Sequence, residues 1–196
     1  ASISIDNGYI RARAPKGLHG ARVVLDTVTV TGTENLLMAA VCARGESLIE
    51  NAAREPEIVD LANMLNAMGA RIEGAGSPVI EIEGVERLHP VEHRVVGDRI
   101  EAGTFLATGG LVGDEVCVRG FDPAHLGLVL KKFEVMGIEV ERGEDFCRVR
   151  RAGDILPTDI QTLPFPGFPT DMQAQTMCLL APASGESVVT ENVFEN

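Results

Sequence analysis

An internal repeat constrains this chain more than any other feature. Gly45-Glu46-Ser47-Leu48-Ile49 recurs as Gly113-Asp114-Glu115-Val116-Cys117 and again as Gly185-Glu186-Ser187-Val188-Val189, with the marker glycines 68 and then 72 residues apart. Gly69 and Gly137, each preceded by methionine, follow the first two markers by 24 residues. Ile58, Leu61, Ala62, Leu65 and Met68 form an i, i+3, i+4, i+7 stripe, which a shift of 68 maps onto Leu126, Val129, Leu130, Phe133 and Met136. A copy of this size cannot bury its apolar face alone, so several must pack together.

One unit spans residues 22 to 88. Arg22–Asp26 and Val28–Val30 are β-rich, and an apolar helix is expected near 33–43, closed by Gly45. Ser47–Glu50 is a strand; Glu55-Pro56-Glu57 opens a second helix with proline in its first turn, and Gly69 ends it. A hairpin follows, Ala70–Glu73 and Val79–Glu83 around Gly74-Ala75-Gly76-Ser77. The order is βαβαββ, an α/β chain of two-layer α+β repeats with the helices on one face. Residues 1–20, with strands at Ser2–Ile5 and Tyr9–Ala12, read as the closing hairpin of an earlier unit, and a third unit stops at Asn196. The chain therefore reads as part of a longer protein, in two domains, 1–96 and 97–196, with a hinge near Val95–Gly97 and a short linker at Leu156-Pro157.

Composition bounds the partners. The formal net charge is −12, which argues against nucleic acid or an anionic membrane surface. An anionic ligand would have to be held by local amides and a few arginines. With no tryptophan, the core must be aliphatic. Cys42, Cys117, Cys147 and Cys178 lie far apart in largely apolar surroundings and read as buried free thiols of a reducing compartment. His19, His89, His93 and His125 form no ligand pattern. No metal and no cofactor is expected, and with no signal peptide or spanning segment the cytoplasm is the expected location.

Three stretches can carry chemistry. In Phe165-Pro166-Gly167-Phe168-Pro169-Thr170-Asp171-Met172-Gln173-Ala174-Gln175 the prolines exclude regular structure from the first half. Thr170 with Gln173 is a capping-box pattern that starts a helix. Asp171 then stands in the first turn, either complementing the helix dipole or facing a substrate. Asn51-Ala52-Ala53-Arg54-Glu55-Pro56-Glu57 ends in two carboxylates at a helix start, where N-capping is the plain explanation. Thr27-Val28-Thr29-Val30-Thr31-Gly32-Thr33 can cradle a phosphate with amides and hydroxyls, or be a half-exposed strand. Fifteen residues before each marker glycine stand Val30, Asp98 and Thr170, so each copy has a strand-to-helix junction at the same place. Three such helix starts converging by pseudo-symmetry would attract an anion.

Glu50-Asn51-Ala52-Ala53-Arg54-Glu55-Pro56-Glu57-Ile58-Val59-Asp60, Ile82-Glu83-Gly84-Val85-Glu86-Arg87-Leu88, Asp98-Arg99-Ile100-Glu101, Phe168–Gln175 and Val193-Phe194-Glu195-Asn196 closely resemble the UDP-N-acetylglucosamine enolpyruvyltransferase (1-carboxyvinyltransferase) family. The resemblance covers essentially the whole chain. It implies six βαβαββ units in two hinged domains, an inside-out α/β barrel that would be incomplete here. The first domain would contribute a closing hairpin and one unit, the second one full and one truncated unit. The implied reaction moves the enolpyruvyl group of phosphoenolpyruvate onto the sugar 3-hydroxyl. The hydroxyl attacks C2 while C3 is protonated, and the adduct expels phosphate. This is the first committed step of peptidoglycan synthesis.

By the same resemblance Asp171 is the carboxylate that binds the sugar hydroxyl and takes its proton, helping largely through orientation. Val193 contacts the UDP-sugar, and Thr27, Val28, Thr29 and Val30 match the nucleotide-binding segment, where the family has lysine in place of Thr27. The family's lysine–asparagine pair, its acid cysteine and several arginines would fall outside this stretch, so the remaining part of the same enzyme is an expected partner and the 196 residues alone are expected to be inactive. Enolpyruvylshikimate-phosphate synthase shares fold and donor and is the alternative. A non-catalytic UDP-sugar-binding relative is another.

Overall fold

The repeat is written into the order of the elements. A computed structural model describes residues 2–112 and 115–194. The chain divides into two units, Ala1–Val95 and Val96–Asn196.

In the first unit β1 (Ser2–Asp6) and β2 (Tyr9–Arg13) form a hairpin whose two-residue turn, Asn7-Gly8, has φ of 50° and 82°. Asn-Gly suits a turn that demands positive φ twice. Then come β3 (Arg22–Val24), α1 (Val30–Ala40), β4 (Glu46–Glu50), α2 (Pro56–Ala67), β5 (Arg71–Glu73) and β6 (Val79–Glu83). The sheet runs β3-β4-β6-β5, with β3 parallel to β4 and β6 antiparallel to β4 and β5. Alternation in the strands turns Ile49, Ile72, Ile80 and Ile82 onto one face, where they join Leu37 and Ala40 of α1 and Ile58, Ala62 and Leu65 of α2. The other face carries charge, including the ion pairs Arg22–Glu50 and Arg71–Glu83.

The second unit repeats the pattern. It contains α3 (Arg99–Val112), β7 (Val116–Arg119), a 3₁₀ turn at Pro123–Leu126, α4 (Gly127–Val135), β8 (Ile138–Arg142) and β9 (Phe146–Arg151). After these come β10 (Ile160–Gln161), a 3₁₀ turn at Thr170–Met172, α5 (Gln173–Leu180) and β11 (Val189–Thr190). The main sheet is β7-β9-β8, all antiparallel, and β10 pairs parallel with β11 as β3 does with β4. Leu126, Val129, Leu130, Phe133 and Met136 are all buried, and Gly137 ends α4 with φ of 86°, as Gly69 ends α2 at 101°. Among the described residues no sheet closes into a barrel.

α3 is the central element of the second unit, and small residues make that possible. A Cβ on Gly109 would stand 2.7 Å from Val116 Cβ, one on Gly110 2.6 Å from Ile138 Cδ1, and one on Gly103 2.7 Å from Met172 Sδ. Its glycine faces thus lie directly on the sheet and on the 3₁₀ turn that carries Asp171.

Several expectations need correction. Val28–Val30 is not a strand: Thr29 caps α1, and Val30 is already helical. The second copy lacks a leading strand, since residues 84–98 form neither helix nor strand. The shift of 68 puts Pro90 where Arg22 begins β3, and proline cannot donate to a ladder. Only Cys147 is a buried thiol, whereas Cys42, Cys117 and Cys178 are exposed. Cys117 occupies an outward position of β7 between the inward Val116 and Val118, so apolar neighbours in sequence did not mean an apolar environment. Burial of Cys147 pushes its thiol up to about 11.

Candidate functional site

In the first unit the hydroxyl-rich stretch becomes a helix start. Thr29 has extended φ and ψ, and its Oγ1 accepts from the Gly32 amide at 3.2 Å. Thr33 Oγ1 donates to Thr29 O at 2.7 Å and accepts from the Ala53 amide at 3.0 Å, which ties α1 to the loop before α2. Thr27 and Val28 are exposed, while Thr29 and Val30 are half-buried. The first turn of α1 contains no acidic residue. The amides of Val30 and Thr31 have no partner inside the helix, so this end can receive a negative group.

The equivalent end of α3 is furnished differently. Asp98 Oδ1 accepts from the amides of Ile100 and Glu101 at 2.8 and 3.0 Å. A carboxylate already occupies the place of an anion there, so the expected set of three anion-attracting helix starts is not realised. The loop before α2 departs from expectation as well. Glu55 makes no side-chain cap, and its Oε2 accepts instead from the Arg54 amide at 2.9 Å.

The third junction holds Asp171. The Phe165–Pro166 peptide is cis, Gly167 N–H donates to Pro164 O at 2.8 Å, and Leu163 N–H donates to Phe168 O at 2.9 Å. A Cβ on Gly167 would lie 2.5 Å from that of Leu163, so this tight loop requires glycine. Phe168 and Met172 are fully buried and anchor the loop on both sides of Thr170-Asp171. The expected capping box does not form. Pro169 is the N-cap residue, the first turn is 3₁₀, and the Thr170 hydroxyl turns away to donate to Glu191 Oε2 at 2.8 Å. Asp171 is exposed, and among the described residues no hydrogen bond or ion pair engages its carboxylate. Gln175 Nε2 donates to Thr104 Oγ1 at 3.0 Å, fastening the start of α5 to α3.

Glu191, a residue that sequence reasoning missed, joins this turn to Val193. Its Oε1 accepts from Thr162 Oγ1 at 2.8 Å and from the amides of Val193 and Phe194 at 2.5 and 3.0 Å. Partial burial raises its pKa, but the Phe194, Thr170, Val193 and Thr162 hydrogen bonds outweigh that and hold it down to about 2. Val193 is partly exposed beside this network. Asp171 and Val193 thus share one scaffold in the second unit, while Thr27–Val30 belong to the first. Among the described residues no cluster of His, Cys, Asp and Glu suits a metal ion.

The model for the family described as EPSP synthase (3-phosphoshikimate 1-carboxyvinyltransferase) matches residues 1–196. A UDP-N-acetylglucosamine 1-carboxyvinyltransferase of Acidobacterium capsulatum is 54% identical over 197 residues, covering all of this chain and 45% of that protein. The UDP-N-acetylglucosamine 1-carboxyvinyltransferase 1 of Staphylococcus aureus is 55% identical over 196 residues, covering all of this chain and 47% of its own length. The chain therefore spans a little under half the length of these relatives. Among solved structures, the enolpyruvyl transferase NikO of Streptomyces tendae superposes with a TM-score of 0.84 at 21% identity, over 96% of this chain and 48% of its own. An EPSP synthase of Acinetobacter baumannii superposes with 0.58 at 20% identity, over 88% of this chain and 41% of its own. At those identities the likeness concerns the fold.

Proposed function

The chain belongs to the EPSP synthase (3-phosphoshikimate 1-carboxyvinyltransferase) family, and from that premise we propose that it supplies part of the acceptor site of an enzyme making enolpyruvyl-UDP-N-acetylglucosamine. The donor is phosphoenolpyruvate and the acceptor oxygen is the sugar 3-hydroxyl. That oxygen gives up its proton and bonds to C2, a proton adds to C3, and the tetrahedral adduct then loses a C3 proton together with phosphate to restore the double bond. Membership of the second domain, with the first unit in the other domain, belongs to the same reading, as does a cytoplasmic setting for peptidoglycan synthesis. Among the described residues no helix is long and apolar enough to cross a membrane.

The observation that carries this reading is the exposed carboxylate of Asp171, unengaged among the described residues and presented by a turn that is itself anchored on both sides. A carboxylate with no protein partner is free to accept a hydrogen bond from a hydroxyl and to orient its lone pair toward the donor carbon. Val193, tied to the same network, forms the neighbouring contact with the UDP-sugar. Thr27–Val30 at the open start of α1 take the nucleotide part, with amides and hydroxyls in place of a lysine. Relatives at 54–55% identity named for the UDP-sugar acceptor favour it over a shikimate phosphate.

The test is Asp171→Asn in the complete protein. Asparagine keeps the shape and loses the charge. Because the carboxylate is exposed and unengaged, stability should change by less than about 0.5 kcal/mol. kcat should fall by about a hundredfold or more, the scale of a positioned acid–base group. Unchanged kcat would reduce Asp171 to a dipole partner.

A further inference from the structure

We propose that Glu191 is the positioning residue of the acceptor site, a clamp that holds the turn bearing Asp171 and the turn bearing Val193 in one fixed relation. The inference rests on the functional reading above. Its basis is the division of labour between the two carboxylate oxygens. Oε2 takes the Thr170 hydroxyl, from the residue next to Asp171. Oε1 takes the amides of Val193 and Phe194, from the turn that ends the described chain.

The third partner on Oε1 fixes the carboxylate against the sheet. Thr162 is fully buried directly after β10, and its Oγ1 accepts from the Asn192 amide at 2.9 Å. Its proton goes to Glu191 Oε1 at 2.8 Å, the nearer of its two acceptors, the other being Thr190 O at 3.5 Å. Asn192 Nδ2 adds a bond to Thr162 O at 3.3 Å. Four donors therefore meet one residue from three segments, which Thr162 already joins through the backbone by its bridge to Phe168 and its N–H bond to Thr190 O at 3.0 Å. Only an ionised carboxylate can accept from all four, since an amide side chain has one accepting oxygen. The lowered pKa of Glu191 agrees with this arrangement.

The consequence is mechanical. Neither Thr170 nor Glu191 need touch the reacting atoms. Yet the Glu191 side chain is the direct tie between the Thr170 hydroxyl and the Val193 amide, beyond the backbone pairing that stops at Phe168 and Thr190. Misplacement of a positioning group by about 1 Å can cost about a hundredfold in rate.

The test uses the complete protein and UDP-N-acetylglucosamine as probe. Equilibrium binding is followed by calorimetry, together with kcat and the KM of each substrate. Glu191→Gln should weaken sugar-nucleotide binding about tenfold, the effect of one charge-assisted hydrogen bond. The KM for the UDP-sugar should rise in step, kcat should fall, and the KM for phosphoenolpyruvate should stay constant. Thr170→Val removes a single donor from the network and should shift the same parameters in the same direction, with Thr170→Ser recovering most of the loss. If Glu191→Gln does not fold, Thr170→Val and its serine counterpart decide the matter. Wild-type binding and kinetics in folded Glu191→Gln and in Thr170→Val, or equal changes in both KM values, would overturn the clamp while leaving the transferase reading intact. Failure of the unaltered protein to bind UDP-N-acetylglucosamine would overturn both.

Discussion

Gly109→Ala tests how closely α3 lies on its sheet. The new Cβ would be 2.7 Å from Val116 Cβ, 2.8 Å from Val116 Cγ2 and 3.0 Å from Val149 Cγ2. Carbon atoms settle at about 3.5–4.0 Å, so something must yield by close to 1 Å. Val116 and Val149 face each other across the β7–β9 ladder. Both are β-branched and stiff at χ1, so neither can swing aside. The strain must instead lift α3 from the sheet. Overpacking of a dense core costs about 1–3 kcal/mol, and rigid neighbours place this case in the upper half. Replacing glycine by alanine within a helix returns about 1 kcal/mol. The expected net loss is about 1–2 kcal/mol. Gly127, where α4 begins, has φ of −47° and nothing within 4 Å of an added Cβ, so Gly127→Ala should gain about 0.4–1 kcal/mol. Urea unfolding of the complete protein, followed by circular dichroism, would rank Gly127→Ala above wild type and Gly109→Ala below it. Gly109→Ala at or above wild-type stability, at an unchanged denaturant slope, would refute the close approach.

Other outcomes follow from single groups. Thr33→Val leaves the buried Ala53 amide without its acceptor and should cost about 1–3 kcal/mol by the same unfolding assay. Brief alkylation of the native protein followed by peptide mapping should label Cys42, Cys117 and Cys178. Cys147, buried and with its thiol pushed up to about 11, should be labelled only after unfolding. Glu191 has its pKa depressed to about 2, so its contribution to stability is present above the unfolded carboxylate pKa of about 4.3 and is lost as pH falls from there through about 2. In Glu191→Gln the acid limb of the stability-versus-pH curve should be shallower over that window.

What the sequence made legible was whatever repeats. The Ile58 and Leu126 stripes, the glycines that end α2 and α4, and the hairpin around Gly74 and Gly76 depend on local periodicity and on φ, both of which are properties of the residues themselves. Misreadings arose where a tertiary partner chose between two local options. Val28–Val30 has strand propensity, yet Thr29 could cap and Thr33 could reach Ala53, and the helix began there. Thr170 and Gln173 have capping-box spacing, but a carboxylate from twenty-one residues further on drew the Thr170 hydroxyl away. Glu191 carries no pattern of its own, because its four donors come from Thr162, Thr170, Val193 and Phe194 and meet only in the folded chain. Of the candidate site, Asp171 and Val193 could be named from motif resemblance, whereas the residue linking them could not.

The three equivalent junctions show how a repeated fold can furnish one position in three ways. Each is a helix start, α1 and α3 opening directly and α5 through a 3₁₀ turn, and helix starts carry amides without partners inside the helix. At α1 a neutral hydroxyl, Thr29, satisfies one amide and leaves room for a negative ligand. At α3 the carboxylate of Asp98 takes two amides and turns the junction into structure. At the third, Pro169 is the N-cap and the acid stands two positions after it, inside the first turn. That offset from the cap decides the outcome. An acid at the cap is consumed by its own helix, whereas the exposed carboxylate of Asp171 in the first turn takes no hydrogen bond among the described residues. Exchanging Thr170 and Asp171 would place the acid directly after the Pro169 cap, take the hydroxyl away from Glu191 and leave position 171 without its carboxylate. The exchange should abolish turnover of the complete protein without stabilising the helix start, because Pro169 keeps the capping position. Turnover surviving the exchange would mean that proximity to this helix start, rather than the free carboxylate, is what the site requires.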